Sequence, residues 1–260
     1  MMAQRKLIDF GMGAIFPLAI IVLWEIAARE RLVSPFLLPA FSRVAERLWQ
    51  DLISGELLTL TGQTLLRLAI SYSIATVIGV ALGILMARAR FVRWLFDPIV
   101  SIGFPAPKIA FLPIFILWFG LFDAPKIAMS IVACIFPLIA GTWAGTQGVD
   151  KYLIWSAENL GASRREILWH VIFPAALPQV LTAMQVALPI AFIVVIVAEM
   201  LTGGGGLGAS MIEGARLANP TRVFEDLIVI GLLGFAFLWG LQVLRRKILA
   251  WHPEVLQEQS

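Results

Sequence analysis

Two ionisable residues, Lys108 and Glu199, stand inside long apolar stretches of this 260-residue chain. A charged side chain near the centre of a bilayer costs about 2.5–3.5 kcal/mol on insertion scales, so such a residue is a functional candidate by default. Lys108 would attract an anion. Glu199 would either contact a substrate or form a hydrogen bond or salt bridge that holds a gate. Both residues are therefore candidates for a translocation path or its gate.

Side chains for catalysis or metal binding are sparse. His170 and His252 are far apart in the chain, and paired carboxylates and His-x-x-x-His spacing are absent from the sequence. Cys134 is the single cysteine, so this chain alone offers neither a disulfide nor a thiolate metal site. The run TGGGGLGAS has the glycine spacing of a dinucleotide fingerprint, but no predicted strand precedes it, and we interpret it as a flexible turn. We expect a non-catalytic protein without a cofactor of its own.

A charged passage, NLGASRREILWHVIFPAALP, interrupts the apolar second half of the chain. Before it, apolar residues of the segment 150–160 recur at helical spacing, and Gly161 supplies the residue type that most easily ends a helix. Ser163 and Glu166 then have the spacing of a capping box, which predicts that a second helix begins at once. The alternative is an ordinary loop that lies on the lipid headgroups.

The second helix of this passage carries an apolar stripe that includes Ile167 and Leu168. Pro174 is expected to close the helix before the next apolar segment. Two short helices joined by a tight turn form a stiff hairpin at about 150–175. A movement imposed on the tip of such a hairpin is transmitted to the neighbouring spans.

The amino-acid composition indicates that these residues belong to a membrane protein. Hydrophobic residues make up 60% of the chain, charged residues 14%, and the mean hydropathy is +0.88. Soluble domains average about 45–50% apolar and about 25% charged residues. The apolar runs recur along the whole chain, so we expect one membrane domain over 1–260, with its core at about 60–245. Its basic residues cluster beside apolar runs, which favours a membrane face over nucleic acid.

Six apolar segments have the length of about 17–25 residues that a transmembrane helix needs. They are 10–27, 68–87, 95–119, 127–143, 180–200 and 227–244. Because an open strand would leave backbone groups unpaired in lipid, the predicted fold class is all-α. A further amphipathic helix is predicted at 42–52.

Basic residues orient the spans, because lysine and arginine are retained on the cytoplasmic side. Tight basic clusters precede the first span and follow the second, fourth and sixth spans. Both termini and the hairpin are therefore expected in the cytoplasm.

The third apolar segment contains more helix breakers than a plain anchor needs. Irregular backbone is tolerated at membrane depth chiefly where protein buries it or a watery cavity receives it. The segment 104–113, with Phe104, Pro105 and Pro107, is therefore predicted to line the path together with Lys108. The alternative is that 95–103 lies along the membrane interface and the prolines merely begin the real span.

The segment WSAENLGASRREILWHVIFPAALP resembles the coupling motif of permease subunits in binding-protein-dependent ABC importers. That motif reads Glu-Ala-Ala, three residues, Gly, nine residues, Ile-x-Leu-Pro. When the motif is aligned on Gly161, its proline falls on Pro174 and its second alanine on Ala157. The opening glutamate is replaced by Trp155, and Glu158 is near but on a different helix face. The other departures are Ser156, Val171 and Phe173.

Further segments, including SPFLLPAFSRV, LFDPIVSIGFPAPKIAFLPIFILWFG and VAEML, are similar to the nitrate, sulfonate and taurine branch of that family. The resemblance implies a type I importer permease with six transmembrane helices in a bacterial inner membrane. It also implies a homodimer, two cytoplasmic ATPase subunits and a periplasmic or extracellular substrate-binding protein. The substrate would be a small anion such as a sulfonate, taurine or nitrate. The sequence has no Gly-x-x-x-x-Gly-Lys-Ser/Thr loop, so ATP and Mg are expected on the ATPase partner.

The residues that the resemblance assigns to ATPase coupling all lie in the hairpin. They are Ala157, Glu158, Gly161, Ala162, Ser163, Arg164, Glu166, Ile167, Leu168 and Pro174. The alternative function is a self-contained secondary transporter or channel. Such proteins often show inverted repeats and charges near the midplane. No clear inverted repeat is visible in this sequence, which favours the importer.

Overall fold

A computed structural model describes the backbone of residues 2–251 and the side chains of residues 15–251. The described part is helical throughout and has no β-strand, which confirms the predicted fold class. The α-helices are α1 (Met2–Arg29), α2 (Phe41–Ser54), α3 (Glu56–Arg88), α4 (Arg90–Gly103), α5 (Leu112–Phe119), α6 (Asp123–Gln147), α7 (Lys151–Asn159), α8 (Arg164–Glu166), α9 (Phe173–Thr202), α10 (Leu207–Arg216) and α11 (Pro220–Ile248). A 3₁₀ turn, Lys108–Phe111, precedes α5, and a π-helical turn, Ile167–Ile172, joins α8 to α9.

Four helical units of the described chain are long and apolar enough to cross a membrane, namely α3, α6, the unit Arg164–Thr202, and α11. A fifth span results if α4 and the unit Lys108–Phe119 are counted together. These units cover the predicted spans from the second to the sixth. The first predicted span lies in α1, but the side chains of its residues 10–14 are outside the described part, so this span stays a prediction.

The centre of the bundle is formed by α3, α6 and α9, and small residues let their backbones approach closely. A Cβ atom added to Gly83 would lie 2.7 Å from the Cβ atom of Thr142, between α3 and α6. One added to Gly141 would lie 2.5 Å from the Cβ atom of Ala183, between α6 and α9. These contacts let the three helices pack backbone to backbone, as small residues do in membrane bundles.

The two ends of this bundle carry different features. The turn between α7 and α8 lies at one end, called the hairpin end below. The loop of glycines 203–206, which follows α9, lies at the other end, called the far end. Helix α9 runs from the hairpin end to the far end and is continuous with one arm of the hairpin.

The third apolar segment is bent. The axes of α4 and the unit Lys108–Phe119 differ by 99°, so one straight helix over 95–119 is excluded. The bend contains Pro105 and Pro107, which have no backbone N–H to donate to a helix. At the end of α4, a Cβ atom on Gly103 would lie 2.3 Å from the ring of Phe136, so the bend rests directly on α6.

The predicted amphipathic helix at 42–52 is confirmed as α2. Its Val44 is fully buried, and Leu48 and Leu52 pack against the central core. Arg47 donates to Glu225 of α11 at 3.3 Å. The helix is therefore packed on the protein.

Candidate functional site

The hairpin turn has the geometry that its sequence predicts. Gly161 adopts φ +83°, and its N–H donates to the carbonyl of Glu158 at 2.9 Å. The N–H of Ala162 donates to the carbonyl of Ala157 at 3.0 Å, which completes a Schellman-type helix end. No atom lies within 4 Å of a Cβ built on Gly161, so backbone conformation alone selects glycine there.

The capping box is also confirmed. The backbone N–H of Ser163 donates to Oε2 of Glu166 at 2.8 Å, and the N–H of Glu166 donates to Oγ of Ser163 at 3.3 Å. Two amides at the start of α8 that lack helical partners are thereby satisfied. The second helix therefore begins three residues after Gly161, and the hairpin has little slack between its two arms.

The hairpin has a small apolar core of its own. Val149, Ile167 and Ile172 are buried, and the half-buried Ala157 and Leu168 pack against them. Ile167 is only 3% exposed, so its side chain packs inside the hairpin, and its predicted part in ATPase coupling stays a prediction. Because Ile167 joins the two arms of the hairpin, its contribution is to make the hairpin stiff.

A different set of side chains forms the outer surface of the hairpin. Leu160 is 88% exposed, immediately before the turn, and Tyr152, Trp155 and Trp169 are also exposed. The rings of Tyr152 and Trp155 meet edge to face with centroids 5.5 Å apart. Trp155 is the residue that replaces the opening glutamate of the family motif, so an aromatic surface stands where the motif has a charge.

The remaining predicted coupling residues divide between the surface and the turn. Glu158, Ser163, Arg164 and Glu166 are exposed, and Ala162 is half-buried against the hairpin core. Their spacing in sequence predicted the turn correctly. It did not predict which side chains face outward, because helical periodicity selects Leu160 as readily as Ile154 for the inner face.

Pro174 does not close the second helix, contrary to the sequence-based expectation. The helical unit continues from Arg164 to Thr202 over 39 residues. At the π turn, the N–H of Phe173 donates to the carbonyl of Leu168, five residues earlier. This wider turn brings Pro174 to the start of α9, where its missing N–H and its ring are tolerated. The hairpin arm and the spanning helix are therefore one continuous body.

The far end of the same helix carries a buried ion pair. Glu199 is fully buried, and its Oε1 atom lies 2.6 Å from Nη1 of Arg67, which is itself 3% exposed. The hydroxyl of Thr64 lies 3.0 Å from both carboxylate oxygens, and the N–H of Gly208 donates to Oε2 at 3.0 Å. This arrangement confirms that Glu199 takes part in a salt bridge.

The glycine loop at the far end is bound to this ion pair. Arg67 donates to the carbonyls of Gly205 at 2.8 Å and Gly204 at 3.2 Å, and Lys126 donates to the carbonyl of Gly203 at 2.7 Å. Glycines 203–206 all have φ between +68° and +96°, a region that favours glycine. The interpretation of this run as a flexible turn is wrong, because three successive carbonyls are bonded to buried cations.

Asp123 completes the network. Its Oδ1 atom lies 2.7 Å from Nη2 of Arg67 and 3.9 Å from Nζ of Lys126. The two cations and the two carboxylates, Asp123 and Glu199, balance in charge and come from α3, α6 and α9. We call this set, with Thr64, the far-end network.

Sequence reasoning found only Glu199 of the far-end network. Arg67, Lys126 and Asp123 stand at the ends of apolar segments, where a charge is ordinarily read as reaching the membrane surface. Their burial depends on three helix ends meeting, which no local pattern records. The run of four glycines was the available signal, since a loop without side chains lets buried cations reach its carbonyls.

The predicted path residues lie at the bend of the third segment. Phe104 and Pro105 line a groove of about 530 Å³, together with Asp97, Ser101 and Trp143 among others. Lys108 is half-buried, and its ammonium group donates to the carbonyl of Phe104. Pro107 lies between them in the bend. The role of these residues in transport stays a prediction.

Lys108 and Glu199 do not meet. Lys108 lies over the rings of Phe104 and Phe136, each 5.7 Å from its ammonium nitrogen, and has no ion pair within the described residues. Glu199 is held by the far-end network. The two candidates therefore belong to separate parts of the molecule.

Comparison with known proteins identifies the family. A sequence model described as "Binding-protein-dependent transport system inner membrane component" matches residues 79–249, well over half of the chain. The chain belongs to this family. The family description itself names the inner membrane and a binding protein.

Individual relatives agree with this assignment. The taurine transport system permease protein TauC of Escherichia coli (strain K12) is 31% identical over 241 residues, covering 91% of this chain and 88% of TauC. The putative aliphatic sulfonates transport permease protein SsuC of Bacillus subtilis (strain 168) is 29% identical, covering 95% of this chain and 90% of SsuC.

A solved structure supports the fold. A chain of the MetNI methionine ABC transporter, in an inward-facing conformation, aligns with a TM-score of 0.65 and 20% sequence identity. The alignment covers 74% of this chain and 95% of that chain. The type I importer permease fold predicted from the sequence is therefore confirmed.

Proposed function

We propose that this permease carries a small sulfonate-type anion across the membrane, delivered by an external binding protein and driven by a separate ATPase. The proposed substrate class is supported by the names of the relatives, a taurine permease and an aliphatic sulfonate permease. We propose further that two copies of the chain form the path, with an ATPase subunit at each hairpin. ATP and Mg belong to that partner.

The observation that carries this function is the continuity of the unit Arg164–Thr202. At about 1.5 Å per residue, its 39 residues extend about 58 Å, which exceeds the hydrocarbon thickness of about 30 Å. One end of the unit is an arm of the hairpin and the other end carries Glu199. A movement imposed on the hairpin is therefore transmitted to the far-end network.

The proposed mechanism needs two states, one in which the far end of the bundle is closed and one in which it is open. The far-end network ties α3, α6 and α9 to the glycine loop, and in the proposed mechanism this contact closes that end of the bundle. ATPase subunits that bind both hairpins more tightly in one arrangement supply the bias between the states. A tilt of α9 moves Glu199 away from Arg67. Arg67 then keeps its ion pair with Asp123, whose carboxylate is exposed and hydrated.

The bend at Phe104–Lys108 provides a place for the anion. Lys108 has no ion pair within the described residues, and it contacts Phe104, which lines a groove between α4 and α6. A sulfonate is a compact anion that accepts hydrogen bonds at three oxygens. We propose that Lys108 attracts it and that the external binding protein supplies most of the selectivity.

Uptake by reconstituted vesicles tests this function. The chain is assembled with its ATPase and binding protein, and uptake of labelled taurine is compared with that of ethanolamine, which lacks the sulfonate. ATP-dependent taurine uptake that requires all three proteins is expected, with Lys108→Met slowing uptake and Lys108→Arg retaining more of it. Uptake that proceeds without the ATPase would instead indicate a secondary transporter or channel.

A further inference from the structure

A pocket of about 610 Å³ opens at the far end, between the end of α1, the start of α2 and the start of α11. Three arginines line it, Arg29, Arg31 and Arg43. The remaining lining includes Ser42 and Thr221, so most of the wall is polar or basic. This pocket is separate from the far-end network and from the groove at Lys108.

The positions of these arginines need an explanation. In the predicted orientation the far end faces outward, where lysine and arginine are disfavoured beside spans. Arg29 is paired with Glu25 at 2.5 Å, and Glu25 is also bonded to the backbone and hydroxyl of Ser42 at 3.0 and 2.8 Å. That carboxylate is therefore already engaged.

Arg31 and Arg43 have no ion pair within the described residues. Glu30 precedes Arg31 in the chain but does not line the pocket. Three guanidinium groups therefore line the pocket, and only that of Arg29 is paired with a carboxylate, Glu25. A guanidinium group presents a planar set of donors that matches phosphate and carboxylate oxygens.

Arg31 has a left-handed backbone conformation that glycine adopts more easily. Its φ is +53°, and the N–H groups of Arg31 and Leu32 donate to the carbonyls of Ala28 at 3.3 Å and Ala27 at 3.1 Å. This is the Schellman ending of α1, whose left-handed position usually holds glycine. An arginine there costs conformational free energy, which points to a use for its side chain.

The position of the pocket relative to the membrane favours a lipid as its ligand. Thr221 belongs to the first turn of α11, a helix long and apolar enough to span the membrane, so the pocket lies near a membrane surface. The described part of α1 exposes apolar side chains, including Phe16, Leu23 and Ile26, the last of them three residues before Arg29. A lipid whose tails follow that surface brings its headgroup to the arginines.

We propose that this pocket binds the phosphate-bearing headgroup of an anionic phospholipid through Arg31 and Arg43, with Arg29 as a third donor. A free phosphate offers the same oxygens, but it lacks the tails that the exposed face of α1 would contact. The site anchors the junction of α1, α2 and α11 to the bilayer. It does not depend on which solute the permease carries.

The test uses the full chain in nanodiscs of phosphatidylcholine with or without phosphatidylglycerol. Retained phosphatidylglycerol is counted by native mass spectrometry, and the thermal midpoint is recorded for each lipid composition. We expect phosphatidylglycerol to be retained and to raise the midpoint. Each of Arg31→Gly and Arg43→Gln should weaken its binding roughly tenfold, since a hydrogen bond to a charged group has about that effect.

Arg31→Gly separates the proposal from a structural role. Glycine relieves the backbone at this position, so the variant in phosphatidylcholine alone should be at least as stable as the unaltered chain while it loses phosphatidylglycerol. Arg216→Gln is the matched control, because Arg216 is an exposed arginine of the same end outside this pocket. Equal lipid loss in Arg216→Gln, or unchanged binding in Arg31→Gly, would overturn the proposal.

Two further measurements distinguish a lipid headgroup from a free oxyanion and from a docked protein. If inorganic phosphate added in detergent reproduces the whole rise in thermal midpoint, the ligand is a free oxyanion and the lipid proposal is wrong. If Arg31→Gly leaves lipid retention intact but weakens association of the binding protein, the pocket is a protein-docking surface. Loss of lipid retention with normal binding-protein association supports the proposal.

Discussion

Arg67 and Glu199 form an ion pair with almost no contact with solvent. Breaking a buried pair by removing one partner typically costs about 3–5 kcal/mol, whereas replacing both partners by apolar residues is often nearly neutral. Such a pair therefore adds little net stability compared with an apolar contact. In the proposed mechanism, the pair opposes separation of α3 from α9 until a large movement breaks it.

A double-mutant cycle on this pair should show strong coupling. Arg67→Met and Glu199→Met are each expected to lower stability by about 3–5 kcal/mol, and the double variant should lose less than their sum. Unfolding in detergent measures the three variants. The partly exposed pair Arg222 and Glu56, 2.9 Å apart, is the control and should couple by at most about 1 kcal/mol. Additive losses at Arg67 and Glu199 would show that the buried pair is not a unit.

Leu160 and Ile167 separate docking from folding within the hairpin. Leu160→Asp is expected to weaken copurification of the ATPase at unchanged thermal stability, because this side chain is 88% exposed. Ile167→Asp places a charge in the hairpin core and should destabilise the hairpin itself. Amide hydrogen exchange over residues 150–175 distinguishes the two effects. Full ATPase recovery with Leu160→Asp would remove this surface from the interface.

The element that matters most is the continuous helix from Arg164 to Thr202. The π turn that accepts Pro174 makes one hairpin arm continuous with the span, and the turn at Gly161 with the capping box fixes the other arm to it. Each of these devices keeps the hairpin arm from folding independently of the span. In the proposed mechanism, a loose joint at any of them would absorb the movement of the ATPase partner.

Gly161→Val should uncouple ATP hydrolysis from uptake. A β-branched residue is strained at φ +83°, by about 1–2 kcal/mol, so the turn is expected to rearrange. The ratio of solute transported to ATP hydrolysed is the readout, and it should fall while hydrolysis continues. Gly55→Val is the matched control, because Gly55 has φ +82° with open space around it but joins α2 to α3 at the far end. A normal ratio in Gly161→Val would contradict the coupling role.

The sequence predicted local features well and long-range ones poorly. The Ser163 and Glu166 spacing and the glycine at 161 encode their turn within a few residues, and the structure confirms them. The continuity through Pro174 was missed because a proline normally ends a helix and no pattern announces a π turn. The far-end network was missed because Arg67, Lys126 and Glu199 are distant in sequence.

At the scale of the whole molecule, one chain presents one hairpin, one bent segment and one far-end network. We expect the assembly to pair two chains with two ATPase subunits, so that the two bent segments face each other across the path. Native mass spectrometry of the gently purified complex should give that composition. A stable complex with a single permease chain and full uptake would contradict the proposed pairing.

Transmission of movement from the hairpin to the far end is tested most sharply by measuring solvent access to the far-end network during ATP turnover. With Cys134→Ser to remove the native thiol, Thr64→Cys places a cysteine at a fully buried position of the network. Its reaction with a membrane-impermeant maleimide is timed in vesicles that contain the ATPase and the binding protein. Leu201→Cys, at an exposed position of the same end, controls for access of the reagent.

We expect the cysteine in Thr64→Cys to react slowly at rest and many times faster during ATP turnover, and we expect the addition of Gly161→Val to restore the slow rate although hydrolysis continues. A rate that ATP does not change, or one that Gly161→Val leaves raised, would contradict the transmission of movement from the hairpin to the far end.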